Sequence, residues 1–144
     1  MADLTITAAN VAITDNTKIR HEFCGEAFPS TGSIVCRSGG VGGQYYLADQ
    51  DDLLRAPSGA SEYGITLNRT SAAGQPVALA KDGASITLGA ILAINQTYHG
   101  STNAGRIGIT TAFATSTDST IVVGTAISTT TLPLNFHATG VATP

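Results

Sequence analysis

What most limits the fold of this chain is that its apolar residues recur at every second position and almost nowhere at the spacing of a helix. Tyr63, Ile65 and Leu67 alternate with Gly64, Thr66 and Asn68. Ile86, Leu88, Ala90, Leu92 and Ile94 share one parity, as do Ile121, Val123 and Ile127, and again Leu132, Leu134 and Phe136. Side chains in a strand point to opposite faces in turn, so each run predicts a strand with one side buried. Further strands are expected near Lys18 to Phe23, Ser33 to Arg37, Gln44 to Ala48, Arg106 to Thr110 and Ser119 to Ile127. Lys81-Asp82-Gly83-Ala84 predicts a type I′ hairpin turn, which would set Leu79 opposite Ile86 and Val77 opposite Leu88. Pro133 removes a ladder donor and predicts an edge or irregular strand. Gly39 to Gly43, Pro57-Ser58-Gly59 and Gly100 to Gly105 read as loops. Asp51 to Arg55 has room for one helical turn. At 144 residues, the pattern fits one all-β domain, a small barrel or sandwich.

Charge is the compositional anomaly. Ionisable Asp, Glu, Lys and Arg make up 12% of the chain, about half the ~25% usual for soluble domains, and Thr, Ser, Ala and Gly take their place. From Gly83 to the end only Arg106 and Asp118 remain. A surface so poor in charge does little to keep molecules apart, and the expectation is that another chain covers part of it. The net charge of -3, with no basic cluster along the sequence, argues against nucleic acid as a partner. No apolar run approaches the roughly 18 residues needed to cross a bilayer, so a soluble protein with no membrane partner is expected.

Catalytic and metal-binding patterns are missing from the sequence. His21, His99 and His137 are scattered and form neither a His-x-His nor a His-Glu-x-x-His pair. Asp49-Gln50-Asp51-Asp52 opens like a calcium loop, yet Leu54 and Ala60 occupy the places of its glycine and its bidentate glutamate. The glycine run at 39–43 lacks the Lys-Ser/Thr ending of a phosphate loop, and no Gly-x-Ser-x-Gly elbow occurs. Cys24 and Cys36 either form one bridge across a hairpin, if their Cα atoms lie within ~7 Å, or stay as buried thiols. The expectation is a protein that is not an enzyme and takes no cofactor and no metal. A non-catalytic carbohydrate-binding or adhesive β module is the alternative. With no Trp, and with Tyr45 and Tyr46 on opposite sides of a strand, a stacking platform for sugars is hard to assemble.

The opening MADLTITAANV, Met1 to Val11, is a strand motif: Leu4, Ile6 and Ala8 line one side, and Thr5, Thr7 and Ala9 the other. Its first basic residue comes only at Lys18, so a secretory leader is not expected. The partner of this ribbon is either the domain's own sheet or the exposed edge of another protein.

With GGQYYLAD at Gly42 to Asp49, YGITLN at Tyr63 to Asn68, AAGQPVALAKDGASITLGA at Ala72 to Ala90 and LPLNFHATGVA at Leu132 to Ala142, this opening resembles the capsid decoration, or cement, proteins of tailed bacteriophages. Cys24 to Cys36 and Tyr98 to Gly105 depart from that pattern. The resemblance implies a β-tulip-like β domain over 17–144 with an extended N-terminal arm over 1–16. It also implies a structural virion protein, made in the host bacterium's cytoplasm and placed on the outer capsid surface. There it would bind the major capsid protein and itself, as a trimer at three-fold and quasi-three-fold positions or as a dimer. The arm residues Leu4, Thr5, Ile6, Thr7, Ala8 and Val11 would then contact the shell.

Overall fold

Alternating apolar residues punctuated by Gly, Pro and Asn fold as the pattern dictates: strands with sharp breaks and no α-helix among the described residues. The computed structural model describes residues 4–14, 18–37, 44–48, 62–101, 103–108 and 119–142. The acidic turn at 49–52, the candidate helical turn at 51–55 and the glycine run at 39–43 lie outside them.

Three antiparallel sheets carry the fold, and none closes into a barrel. The largest runs β2 (Ile19–Phe23), β6 (Pro76–Ala80), β5 (Tyr63–Thr66), β3 (Ile34–Arg37) and β4 (Tyr45–Leu47) in that spatial order. A three-stranded sheet sets β7 (Ser85–Thr87) between β1 (Ala12–Ile13) and β11 (Thr131–Pro133). The third orders β12 (His137–Ala142), β10 (Ser119–Thr125), β8 (Thr97–Gly100) and β9 (Ile107–Gly108). Pro133 sits on an edge strand, where its missing N–H removes no central ladder bond. Gly100, read above as the start of a loop, is the last residue of β8.

The central strands of the five-stranded sheet are buried on both faces. Ile34, Cys36, Tyr63, Ile65 and Ala80 point into the main core, where they join Ile86, Leu88, Leu132, Leu134 and Phe136. Val35, Tyr45, Val77 and Leu79, one residue out of phase, point the other way into a smaller cluster closed by Cys24 and Phe28. The loop after β2 lies over that second face. It is tied down by mutual bonds between Phe28 and Thr70, with Phe28 N donating to Thr70 Oγ1 at 2.9 Å and Thr70 N donating to Phe28 O at 3.0 Å. Cys24 and Cys36 therefore lie in clusters on opposite faces of the sheet, and both are buried thiols outside any disulfide.

The hairpin predicted at Lys81 to Ala84 does not form. The turn is present, with Ala84 N donating to Lys81 O at 3.1 Å, but β6 pairs with β2 and β5 while β7 pairs with β1 and β11. Of its two central residues only Gly83 has positive φ, at 90°, which is the type II pattern; type II turns splay the flanking strands where type I′ would align them. The chain thus turns a corner between two sheets. Leu134 fastens it by accepting from Gly83 N at 3.0 Å and donating to Ala84 O at 2.7 Å, and Phe136 N donates to Asp82 Oδ1 at 2.7 Å. The Phe136 ring stacks on Tyr63 with centroids 5.8 Å apart.

Two further parities end early. Ile86, Leu88 and Leu92 are buried, but the strand stops at Thr87 and the backbone turns at Gly89, φ 78°, leaving Ile94 outside. Ile121 and Val123 are buried, whereas Ile127, beyond the end of β10, is exposed.

A Cβ at Gly83 would meet no atom closer than Lys18 Nζ at 3.9 Å, so Gly83→Ala isolates the backbone term. It is expected to destabilise by about 1–2 kcal/mol. Urea denaturation, with an unchanged slope, is the measurement.

Candidate functional site

Three surface features could carry function: the opening ribbon, an apolar edge, and a cluster of charged side chains. The ribbon lies on its own domain. Leu4 N donates to Ile107 O at 2.7 Å, Thr14 N donates to Ser85 O at 2.9 Å, and Ala12 and Ile13 pair with Thr87 and Ile86. Leu4, Ile6, Val11 and Ile13 are half-buried against the main core. Ile6 and Val11 rest on Gly32, whose φ of 85° and lack of a side chain make room: a Cβ there would stand 2.9 Å from Ile6 Cγ2. A 3-10 turn at Ala8–Asn10 interrupts the ribbon, so Ala8 leaves the inward side expected of it. Thr5, Thr7 and Ala8 are exposed. Of the six arm residues, the structure turns three inward and three outward.

The apolar edge comes from the segment after Gly89, which runs beside the segment after β10. Leu92 N donates to Thr129 O, Asn95 N to Ala126 O and Ala126 N to Gln96 O, all within 3.0 Å. These rungs set the two segments side by side, and Ile91, Ile94 and Ile127 on them are exposed by 37%, 58% and 64%. No Asp, Glu, Lys or Arg lies in either segment.

The charged cluster sits on the second face of the five-stranded sheet, where strand alternation projects Arg20 and Glu22 from β2, Arg37 from β3, Tyr45 from β4 and Lys81 from just beyond β6. Together they line a cleft of about 170 Å³. Lys81 Nζ donates to the Tyr45 hydroxyl at 2.8 Å and lies 4.8 Å from the Tyr45 ring centroid. Arg37 grips Glu62 with two bonds, Nε to Oε2 at 2.9 Å and Nη2 to Oε1 at 2.8 Å, which hold the Glu62 carboxyl below its usual range. Burial pulls the Lys81 ammonium down to about 8; Glu22 and Glu62 oppose this, and Arg37 and Arg20 add to it. Burial, then the charge of Glu22, pushes the Tyr45 phenol up. The sequence offers Lys81 only as a turn residue, and its meeting with Arg20, Arg37 and Tyr45 depends on sheet order.

The remaining candidates give no reactive constellation. The pairings of Val122 with both His99 and His137 bring those histidines together across β10. His99 is buried, and burial, with the charge of His137, lowers its affinity for a proton. Among the described residues no three His, Cys, Asp or Glu side chains converge on a point. A wider hollow of about 580 Å³ between Ala27, Arg69, Thr70 and Gln75 contains one ionisable group, Arg69. Tyr45, Tyr63 and Tyr98 are buried and Tyr46 is half-buried, so none lies open as a sugar platform. No helix among the described residues is long and apolar enough to cross a membrane. Comparison with protein-family models, with curated proteins and with solved structures finds no match.

The Lys81 shift has a stability consequence. Its folded proton affinity lies below the unfolded one, so between about pH 8 and pH 10 the unfolded chain binds the extra proton and stability rises with pH. Above pH 10 the raised Tyr45 phenol begins to oppose the trend. Lys81→Gln keeps a donor for Tyr45 and removes the ionisation. It is expected to abolish the rise, on the order of 2–3 kcal/mol, in urea denaturation run at a series of pH values.

Proposed function

We propose that this chain is a structural virion protein that binds the outer surface of a phage head and cements neighbouring major capsid proteins, as a trimer at three-fold and quasi-three-fold positions. The observation that carries the reading is the exposed Ile91, Ile94 and Ile127 edge, set in a part of the chain nearly free of ionised residues. Apolar side chains rimmed by Thr and Ser, with no charge to desolvate, suit a lasting contact with another protein. Charge-free surface also meets a copy of itself about a rotation axis without like-charge repulsion. The family resemblance of five segments in order supplies the capsid as the setting, and the β-tulip arrangement belongs with it.

On this reading the opening ribbon takes part as a docked strap. Leu4, Ile6 and Val11 hold it to the domain, and Thr5, Thr7 and Ala8 face the shell. The energetics favour such an arrangement over a free arm. Burying three aliphatic side chains gains roughly 1.5–3 kcal/mol each, while ordering ten free residues costs roughly 1–2 kcal/mol apiece. A strap already ordered on its own domain leaves less to be ordered on the shell, and a trimer presents three at once.

Light scattering of the purified protein is expected to give a trimer, and cosedimentation with undecorated heads to give binding. Ile94→Asp with Ile127→Asp should shift the protein toward monomer and lower head binding at least tenfold while leaving the melting temperature within a few degrees. A monomeric parent that ignores heads sinks the proposal, and binding to immobilised glycans in place of heads would favour the adhesive module.

A further inference from the structure

We propose that Lys81 is a covalent modification site, whose amine, set in the cleft between Arg20 and Arg37, accepts an acyl group from a small acyl phosphate. The nucleophile is positioned: the bond to the Tyr45 hydroxyl at 2.8 Å and the ring beneath it fix Nζ at the cleft wall. Lys81 itself is half-buried and lines the opening. Two guanidiniums share the cleft, and planar guanidinium donors suit the doubly charged phosphoryl end of such a donor. Arg37 uses Nε and Nη2 on Glu62, which leaves Nη1 outside that pair. The size of the cleft also selects. At about 170 Å³ it falls below the roughly 300 Å³ of a pocket for a drug-sized ligand, so a two- or three-carbon donor fits and a nucleotide does not.

Electrostatics supply the reactive form. Burial is the largest influence on the amine, and of the charged groups facing it Glu22 and Glu62 favour the ammonium while Arg37 and Arg20 disfavour it. With its value at about 8, roughly a fifth of Lys81 is neutral at pH 7.4, against about one in a thousand for an ordinary lysine. Glu22, in the same cleft, is the base that takes the proton shed on attack. The Nζ lone pair adds to the acyl carbon and the bond from that carbon to the phosphate oxygen breaks. Its electron pair leaves on inorganic phosphate, and one proton passes from nitrogen through Glu22 to solvent. The product is an amide, with no change of oxidation state, and the cluster has lost one cation.

The chain contains two lysines, and Lys18, exposed just before β2, is the internal control. The full-length protein is incubated with acetyl phosphate at pH 7.4 and labelling at the two sites is followed by peptide mass spectrometry. Lys81 is expected to react at least tenfold faster than Lys18. Arg20→Gln, at an exposed position, should slow labelling of Lys81 by acetyl phosphate at least threefold, yet leave labelling by a neutral acetyl ester of N-hydroxysuccinimide within twofold. Equal or faster labelling of Lys18 overturns the proposal. So does an Arg20→Gln effect that is the same for both reagents, including no effect on either, because the cleft would then not be seating the anion.

Discussion

The turn at Lys81 to Ala84 is the constraint on which the arrangement rests. On one side of it the chain lies in the five-stranded sheet, and on the other in the three-stranded sheet, so a single type II turn decides that two sheets share one core. The turn is clamped from three directions by Leu134, by the bond from Phe136 N to Asp82, and by the Phe136 ring on Tyr63. Ile65 and Ala80 on one sheet and Ile86 and Leu132 on the other then meet in a common interior. Had the strands continued as a hairpin, Val77 and Leu79 would have been committed to β7. Instead they face Phe28 and Cys24, and the central strands of the large sheet are buried on both sides.

Burial of the second face explains the charged cluster. The apolar patch there does not extend over the whole sheet, and beyond it Arg20, Glu22, Arg37 and Lys81 gather around the cleft with Tyr45. A chain with so few charges thereby concentrates several in one cleft, while the opposite extreme, the Ile91, Ile94 and Ile127 edge, has none nearby in sequence. The contrast sets a charge-free apolar edge against a charged cleft on the described surface.

Much of the fold was legible in residue order. Strands at Ile19–Phe23, Ile34–Arg37, Tyr45–Leu47 and Tyr63–Thr66 fall within the stretches where residue order predicts them, because β-branched, aromatic and alternating residues report local backbone geometry directly. Pro133 marked an edge for the same local reason. Asp82-Gly83 marked a turn but not its type. Choosing between type I′ and type II depends on which strands wait on either side, and that choice is made by Leu134 and Phe136, some fifty residues on. The exposure of Ile94 and Ile127 was equally hidden, since parity continues in the sequence after the strand itself has ended.

By itself, then, the amino-acid order determined an all-β chain, its principal strands, its charge-poor second half and an alternating ribbon at the start. Tertiary structure alone decided that the two thiols lie on opposite faces, that Leu4, Ile6 and Val11 turn inward, and that Lys81 meets Tyr45 between two arginines. The physical reason is range. Strand formation follows from the two or three residues on either side, whereas the neighbours of a side chain across a sheet are fixed by strand order, which depends on how distant apolar faces share one core.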